Sequence, residues 1–166
     1  MKWYQLRYCR ADQLLKLVSI KTIPVDILRI CNILEVPVFW NKTMREDGLL
    51  YMNLETKKAE IHVKQGAPKY RFRFTVAHEL GHLLQHDFDE LIHRDFNGQN
   101  QTVKEREANS FAARLLIPTE NLLWHLQCAG GLFKEHHLKE LAIIYNVSYE
   151  TMYYRVNNMN WLEKQG

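Results

Sequence analysis

The chain has 166 residues, a net charge of +3 with histidine neutral, 46% hydrophobic and 25% charged residues. That profile suits one compact soluble domain with at most a small appendage, and the charge is too mild to point to nucleic acid. The three scattered cysteines, Cys9, Cys31 and Cys128, form no Cys-x-x-Cys pair, which argues against a disulfide framework and for a reducing compartment. The first ten residues have no apolar core, so no signal peptide is expected, and no apolar run is long enough for a bilayer. The expected location is the cytoplasm, with no membrane association.

In chain order, residues 11–20 predict a short helix. Pro24 stands where a second helix begins, with Ile27, Leu28, Ile30, Cys31 and Leu34 at helical spacing. Val36–Trp40 is strand-like, and Pro37 marks it as an edge or a strand start. Asp47-Gly48 is a turn signal before a second strand at 49–54, and Ala59–Val63 alternates as a third. Gly66 and Pro68 end that strand. From Arg71 onward the pattern is helical, with a polar loop at 87–102 and a fresh helix at Pro118 that closes at Gly130-Gly131. Helices at 134–145 and 149–159 follow. The expected fold class is α+β: a small antiparallel sheet of about three strands packed on a helical body. Between Lys57 and Arg73 six basic residues (Lys57, Lys58, Lys64, Lys69, Arg71, Arg73) face one acid, Glu60, a run read as a solvated face.

The strongest local signal is His78-Glu79-Leu80-Gly81-His82. Residues four apart on a helix lie within about 40° of one another around the axis, so His78 and His82 can aim two imidazoles at one ion. Glu79 is turned about a quarter-circle away. It can reach an attacking water without ligating the metal, the division of labour of metal-assisted peptide hydrolysis. Phe72, Val76, Leu80, Leu83 and Leu84 gather on the opposite, core-facing side. Gly81 costs roughly 1 kcal/mol of helix stability against Ala, so its use is to let another backbone come close.

A catalytic zinc of this kind needs a third protein ligand and an open fourth position. The metzincin pattern fails, because Gln85 and Phe88 stand where its Gly and His would be. His86, Asp87, Asp89 and His93 are alternatives nearby. The better source is the helix that follows, residues 104–118. There Glu105 shares a face with Ala108, Asn109 and Ala112, small residues that let two helices approach. Asn109, one turn on, can orient a ligand by a hydrogen bond. Glu107 falls with Ser110 and Arg114 on a solvent-type face. The expected ligands are therefore His78, His82 and Glu105, with Glu79 as general base and Asn109 in support.

Arg71–His82 together with Glu105–Pro118 resembles the ImmA/IrrE family of metallopeptidases, over about residues 20–120. The resemblance implies a gluzincin-like, zincin-type fold with His78, His82 and Glu105 as ligands and Glu79 as base. Well-known members cleave helix-turn-helix repressors, so it also implies a protein substrate, a transcriptional repressor or similar regulator. Zn²⁺ is the expected metal, with Mn²⁺ or Fe²⁺ compatible with the same donors. The strand Ala59–Val63 is expected to pair with extended substrate backbone.

Leu138–Asn158 has the rhythm of a helix-turn-helix. Leu141, Ala142 and Tyr145 would pack its first helix, Asn146-Val147-Ser148 would make the turn and cap, and Met152 and Val156 would pack the second. From Leu132 to Gly166, four basic residues balance four acids, so DNA binding is not expected. Tyr149, Tyr153, Tyr154 and Trp161 read as core or interface. Residues 1–130 are expected to form the zincin-like domain, and 131–166 a helical subdomain packed on it. His125, His136, His137 and Tyr145 remain open as donors to the developing oxyanion. The rival function is a metal-containing, antitoxin-linked regulatory module that binds protein with little turnover.

Overall fold

A computed structural model describes residues 1–53, 55–86, 98–130 and 134–163, the side chains of 98–102 and 160–163 excepted. After a 3-10 turn at Trp3–Gln5 come α1 (Ala11–Leu17), α2 (Ile27–Ile33), β1 (Val38–Asn41), β2 (Gly48–Asn53) and β3 (Lys58–Lys64). Then follow α3 (Lys69–Gln85), α4 (Gly98–Leu116), α5 (Thr119–Cys128), α6 (Glu135–Tyr145) and α7 (Tyr149–Glu163). The fold is α+β, as the sequence pattern requires. Helix starts follow local chemistry. Asp26, rather than Pro24, opens α2 by accepting the Arg29 amide hydrogen at 3.0 Å. Pro118 stands at the N-cap of α5 and ends α4, because the residue before a proline is pushed out of the helical region. The α4 helix begins at Gly98, earlier than the polar character of 98–102 suggested.

The sheet is mixed, not antiparallel. Its order is β1-β3-β2, with β1 parallel to β3 (Val38 opposite Ile61) and β2 antiparallel to β3 (Leu50 opposite Ile61). The turn at Asp47-Gly48 therefore does not close a hairpin between β1 and β2. It carries the chain to the far side of the place β3 then fills. Side chains alternate with period 2 in both kinds of ladder, so alternation along the chain cannot tell them apart. β3 is the central strand, and its Ala59, Ile61 and Val63 are buried. Because both its backbone edges are paired, the expectation that Ala59–Val63 receives substrate is overturned. Among the described residues, the free edges belong to β1 and β2.

α3 is the spine of the molecule. Val76, Leu80, Leu83 and Leu84 are fully buried on one side, each contributing about 1.5–3 kcal/mol of apolar transfer, while Phe72 is half-buried. On the side toward α4, Gly81 lets the two helices touch. A Cβ there would lie 3.1 Å from the Ala108 Cα and 3.2 Å from its carbonyl oxygen. Ala108 and Ala112 are buried in this contact.

The basic run through β3 and the start of α3 is only partly a solvated face. Arg73 is buried and donates to the carbonyl oxygens of Asn146 at 3.2 Å and Tyr145 at 3.5 Å. It thereby caps the C-terminal end of α6, where the helix dipole favours a cation. The turn after α6 forms as its sequence suggested. Asn146 is left-handed, and Ser148 Oγ accepts the Thr151 amide hydrogen at the start of α7. Leu138, Leu141, Ala142, Tyr145, Met152 and Val156 all join the main core. Arg155, also buried, ties α7 to the α4–α5 junction through Ile117 O at 3.2 Å and Thr119 Oγ1 at 2.7 Å. Tyr149 is half-buried, but Tyr153 and Tyr154 are exposed, and the side chain of Trp161 lies outside the described residues. Among the described residues, no helix is long and apolar enough to cross a membrane.

Candidate metal centre

Two helices build the site. One turn of α3 separates His78 from His82, and their Nε2 atoms lie 3.0 Å apart. Glu105, in α4, reaches both: Oε2 is 3.1 Å from His78 Nε2, and Oε1 is 3.2 Å from His82 Nε2. These three residues form a group able to hold a metal ion, with their ligand atoms within 4.8 Å of one another. The spacing suits the ion. With metal–ligand bonds of about 2.0–2.1 Å, ligand atoms on a tetrahedron are separated by roughly 3.3 Å. The three observed edges fall just inside that value, and three donors leave a fourth position for water or substrate. The donor set, two imidazoles and one carboxylate, suits a divalent transition-metal ion.

The supports are equally specific. His78 Nδ1 donates to Asn109 Oδ1 at 2.9 Å, which turns the opposite nitrogen of the ring toward Glu105. Asn109 stands one turn from Glu105 on α4. Burial pushes the His78 imidazole down, but the Glu105 hydrogen bond, the charges of Glu79 and Glu105 and the Asn109 contact outweigh it, so its pKa is raised. The hydrogen bonds from His78 and His82 hold the Glu105 carboxyl well below its ordinary range. Both effects describe donors that share one small space and favour positive charge within it.

Glu79 is buried beneath the start of β2. A Cβ placed on Gly48 would lie 3.0 Å from Glu79 Oε1 and only 2.3 Å from Thr75 Cγ2. The turn glycine is therefore required by space: β2 crosses α3 where any larger residue would strike Thr75 and crowd the carboxylate. Gly48→Ala should cost about 1–3 kcal/mol of stability, the usual range for overpacking. Adding Thr75→Ser, which removes Cγ2, should restore most of the loss. Urea denaturation of the three proteins measures both effects.

Not every candidate comes to the site. Glu107 is not part of the metal group. Its Oε2 lies 3.1 Å from His86 Nε2, so it is not simply a surface charge either. His86 is not part of that group either; its Nδ1 faces His82 Nδ1 at 3.0 Å. A signal for this was present, since 78, 82 and 86 are spaced by four and share one helical face. Asp87, Asp89 and His93 lie outside the described residues. His137 accepts the Lys134 amide hydrogen and so caps α6, with the His136 ring 4.0 Å from its own. Tyr145 is fully buried in the core and His125 packs edge-on against it at 5.8 Å.

Comparison with known proteins agrees with this geometry. The family of the IrrE N-terminal-like domain, a peptidase family, matches residues 31–157. Comparison with curated proteins finds no match. Among solved structures, the chain is similar to a Mycobacterium tuberculosis transcriptional regulator, with a TM-score of 0.60 and 14% identity. The match covers 86% of this chain and 43% of that one, so the chain spans less than half the length of that neighbour. At this identity the likeness is one of fold.

Proposed function

The chain belongs to the IrrE N-terminal-like peptidase family, and from that premise we propose that it is a zinc-dependent endopeptidase acting on a protein substrate. The observation that carries this is the convergence of His78, His82 and Glu105 on one point beside the buried Glu79. In this proposal the three are the metal ligands, Asn109 steadies His78, and Glu79 is the general base. A bound divalent cation supplies Lewis acidity, which polarises the scissile carbonyl and lowers the pKa of water. Glu79 accepts the proton of the attacking water and delivers it to the leaving amine. The free edge of β2 receives the substrate as an extended strand, since main-chain hydrogen bonds accept any sequence. Gly48, at the head of that strand, lets β2 lie close over Glu79.

The substrate proposed is a helix-turn-helix repressor or similar regulator, as the resemblance to ImmA/IrrE peptidases suggests. Zn²⁺ is the preferred metal, with Mn²⁺ and Fe²⁺ as alternatives for these donors. The free thiols Cys9, Cys31 and Cys128 support a cytoplasmic location. Residues 131–166 are proposed as a helical subdomain on the peptidase body (1–130). Its balanced charge makes it a docking or structural element rather than a DNA reader. The test is incubation of the zinc-loaded protein with the product of the nearest repressor-like gene. Discrete fragments are expected, and they should vanish with a chelator and return with added zinc. Fragments that persist undiminished in chelator would sink the metal-dependent mechanism.

A further inference from the structure

The proposed ligand His82 has a second nitrogen, and what that nitrogen meets is unusual. Its partner is another histidine, His86, at 3.0 Å between the two Nδ1 atoms. His86 is itself buried, and its Nε2 lies 3.1 Å from Glu107 Oε2. Glu107 stands at the surface, its side chain more than half exposed. Three side chains therefore run in series from the metal group to solvent.

Hydrogen positions along this series are determined from both ends. At the inner end, His82 must keep the lone pair on Nε2 for a metal, so its hydrogen is on Nδ1 and points at His86. His86 Nδ1 must then be an acceptor, which places the His86 hydrogen on Nε2. At the outer end, a carboxylate can only accept, so Glu107 independently requires the hydrogen on His86 Nε2. The two requirements coincide. Were Glu107 absent, His86 could equally hold its hydrogen on Nδ1, set against the His82 Nδ1–H, and the His82 ring would be free to turn or to adopt the tautomer that cannot ligate.

We propose that Glu107 and His86 are positioning residues: acting in series, they hold His82 in the tautomer and orientation that bind the metal. This rests on the metal-ligand role proposed above. It gives His82 what Asn109 gives His78, so each imidazole has its own support, one short and one relayed.

The test is zinc affinity by competition with a chromophoric chelator on the intact protein, with far-UV circular dichroism and urea denaturation as controls on folding. Glu107→Ala and His86→Phe should each weaken zinc about 10- to 100-fold, the usual cost of losing such support. Glu107→Gln, which keeps an acceptor oxygen, should recover part of the loss. The double variant should lose no more than His86→Phe alone, because a relay in series fails once. Combining Glu107→Ala with Asn109→Ala should give additive losses, because the two act on different rings. In ¹⁵N spectra of the imidazoles, zinc-loaded wild type should show His82 with hydrogen on Nδ1 and His86 with hydrogen on Nε2. Folded Glu107→Ala and His86→Phe proteins that bind zinc like wild type, or losses from the two that simply add, would overturn the relay. Failure of the wild type itself to bind zinc would instead remove the metal reading on which it rests.

Discussion

Glu79→Gln should leave a protein that folds and holds its metal but no longer cuts its substrate. The carboxylate is not among the three converging donors, so metal stoichiometry should stay near that of wild type. The amide preserves the volume at a buried position against Gly48 and Thr75, where space is scarce. What it cannot do is accept a proton. General-base contributions are typically about 10²- to 10⁴-fold in rate, and a loss of that size is the expected result. The measurement is a time course of fragment formation for wild type and variant, paired with elemental analysis of the same samples. Equal cleavage by both would remove Glu79 from the mechanism. If neither cleaves, yet both relieve repression equally in a reporter assay, the chain is the metal-containing binding module and not a peptidase.

Glu105→Ala should strip the metal. Its two oxygens reach separate imidazoles, so one substitution removes a proposed ligand and leaves His78 and His82 facing each other at 3.0 Å without the carboxylate that joins them. The loss in affinity should exceed the about 10- to 100-fold expected for supporting residues. Metal content after dialysis should fall to a small fraction of one ion per chain. Glu107→Ala, measured alongside, should still fill at excess zinc, since it acts on orientation alone. Retention of metal by Glu105→Ala together with its loss from Glu107→Ala would reverse the assignment of the two glutamates.

The contrast between these glutamates shows where local pattern suffices and where it stops. Glu105, Ala108, Asn109 and Ala112 were legible as one face because α4 is regular, and the face with small residues is the one that can approach Gly81. Glu107 lies about 200° around the axis from Glu105, which reads as solvent. Its side chain nonetheless reaches His86, one turn beyond His82, at the end of α3. Helical angle gives the direction in which a side chain leaves its own axis. It does not give the reach of a flexible carboxylate or the position of the neighbouring helix end. Arg73 carries the same lesson: a basic run looked solvated as a whole, but one member was claimed by the carbonyl end of α6.

By itself the sequence determined which residues of α3 and α4 share a face at the candidate site. The spacing of His78, Glu79 and His82, and the register of Glu105 and Asn109, follow from the 3.6-residue turn, which is a property of each helix alone. It also determined the α+β class and the turn at Asn146–Ser148, because caps and left-handed positions are chosen by the residues that occupy them. Tertiary structure decided the order and sense of the strands, the burial of Ala59–Val63 between two partners, and the link from Glu107 through His86 to His82. These depend on how one element lies against another. A strand alternates with period 2 whichever way its neighbour runs, and a helix shows the same faces wherever its partner ends, so only the packed molecule decides between the possibilities.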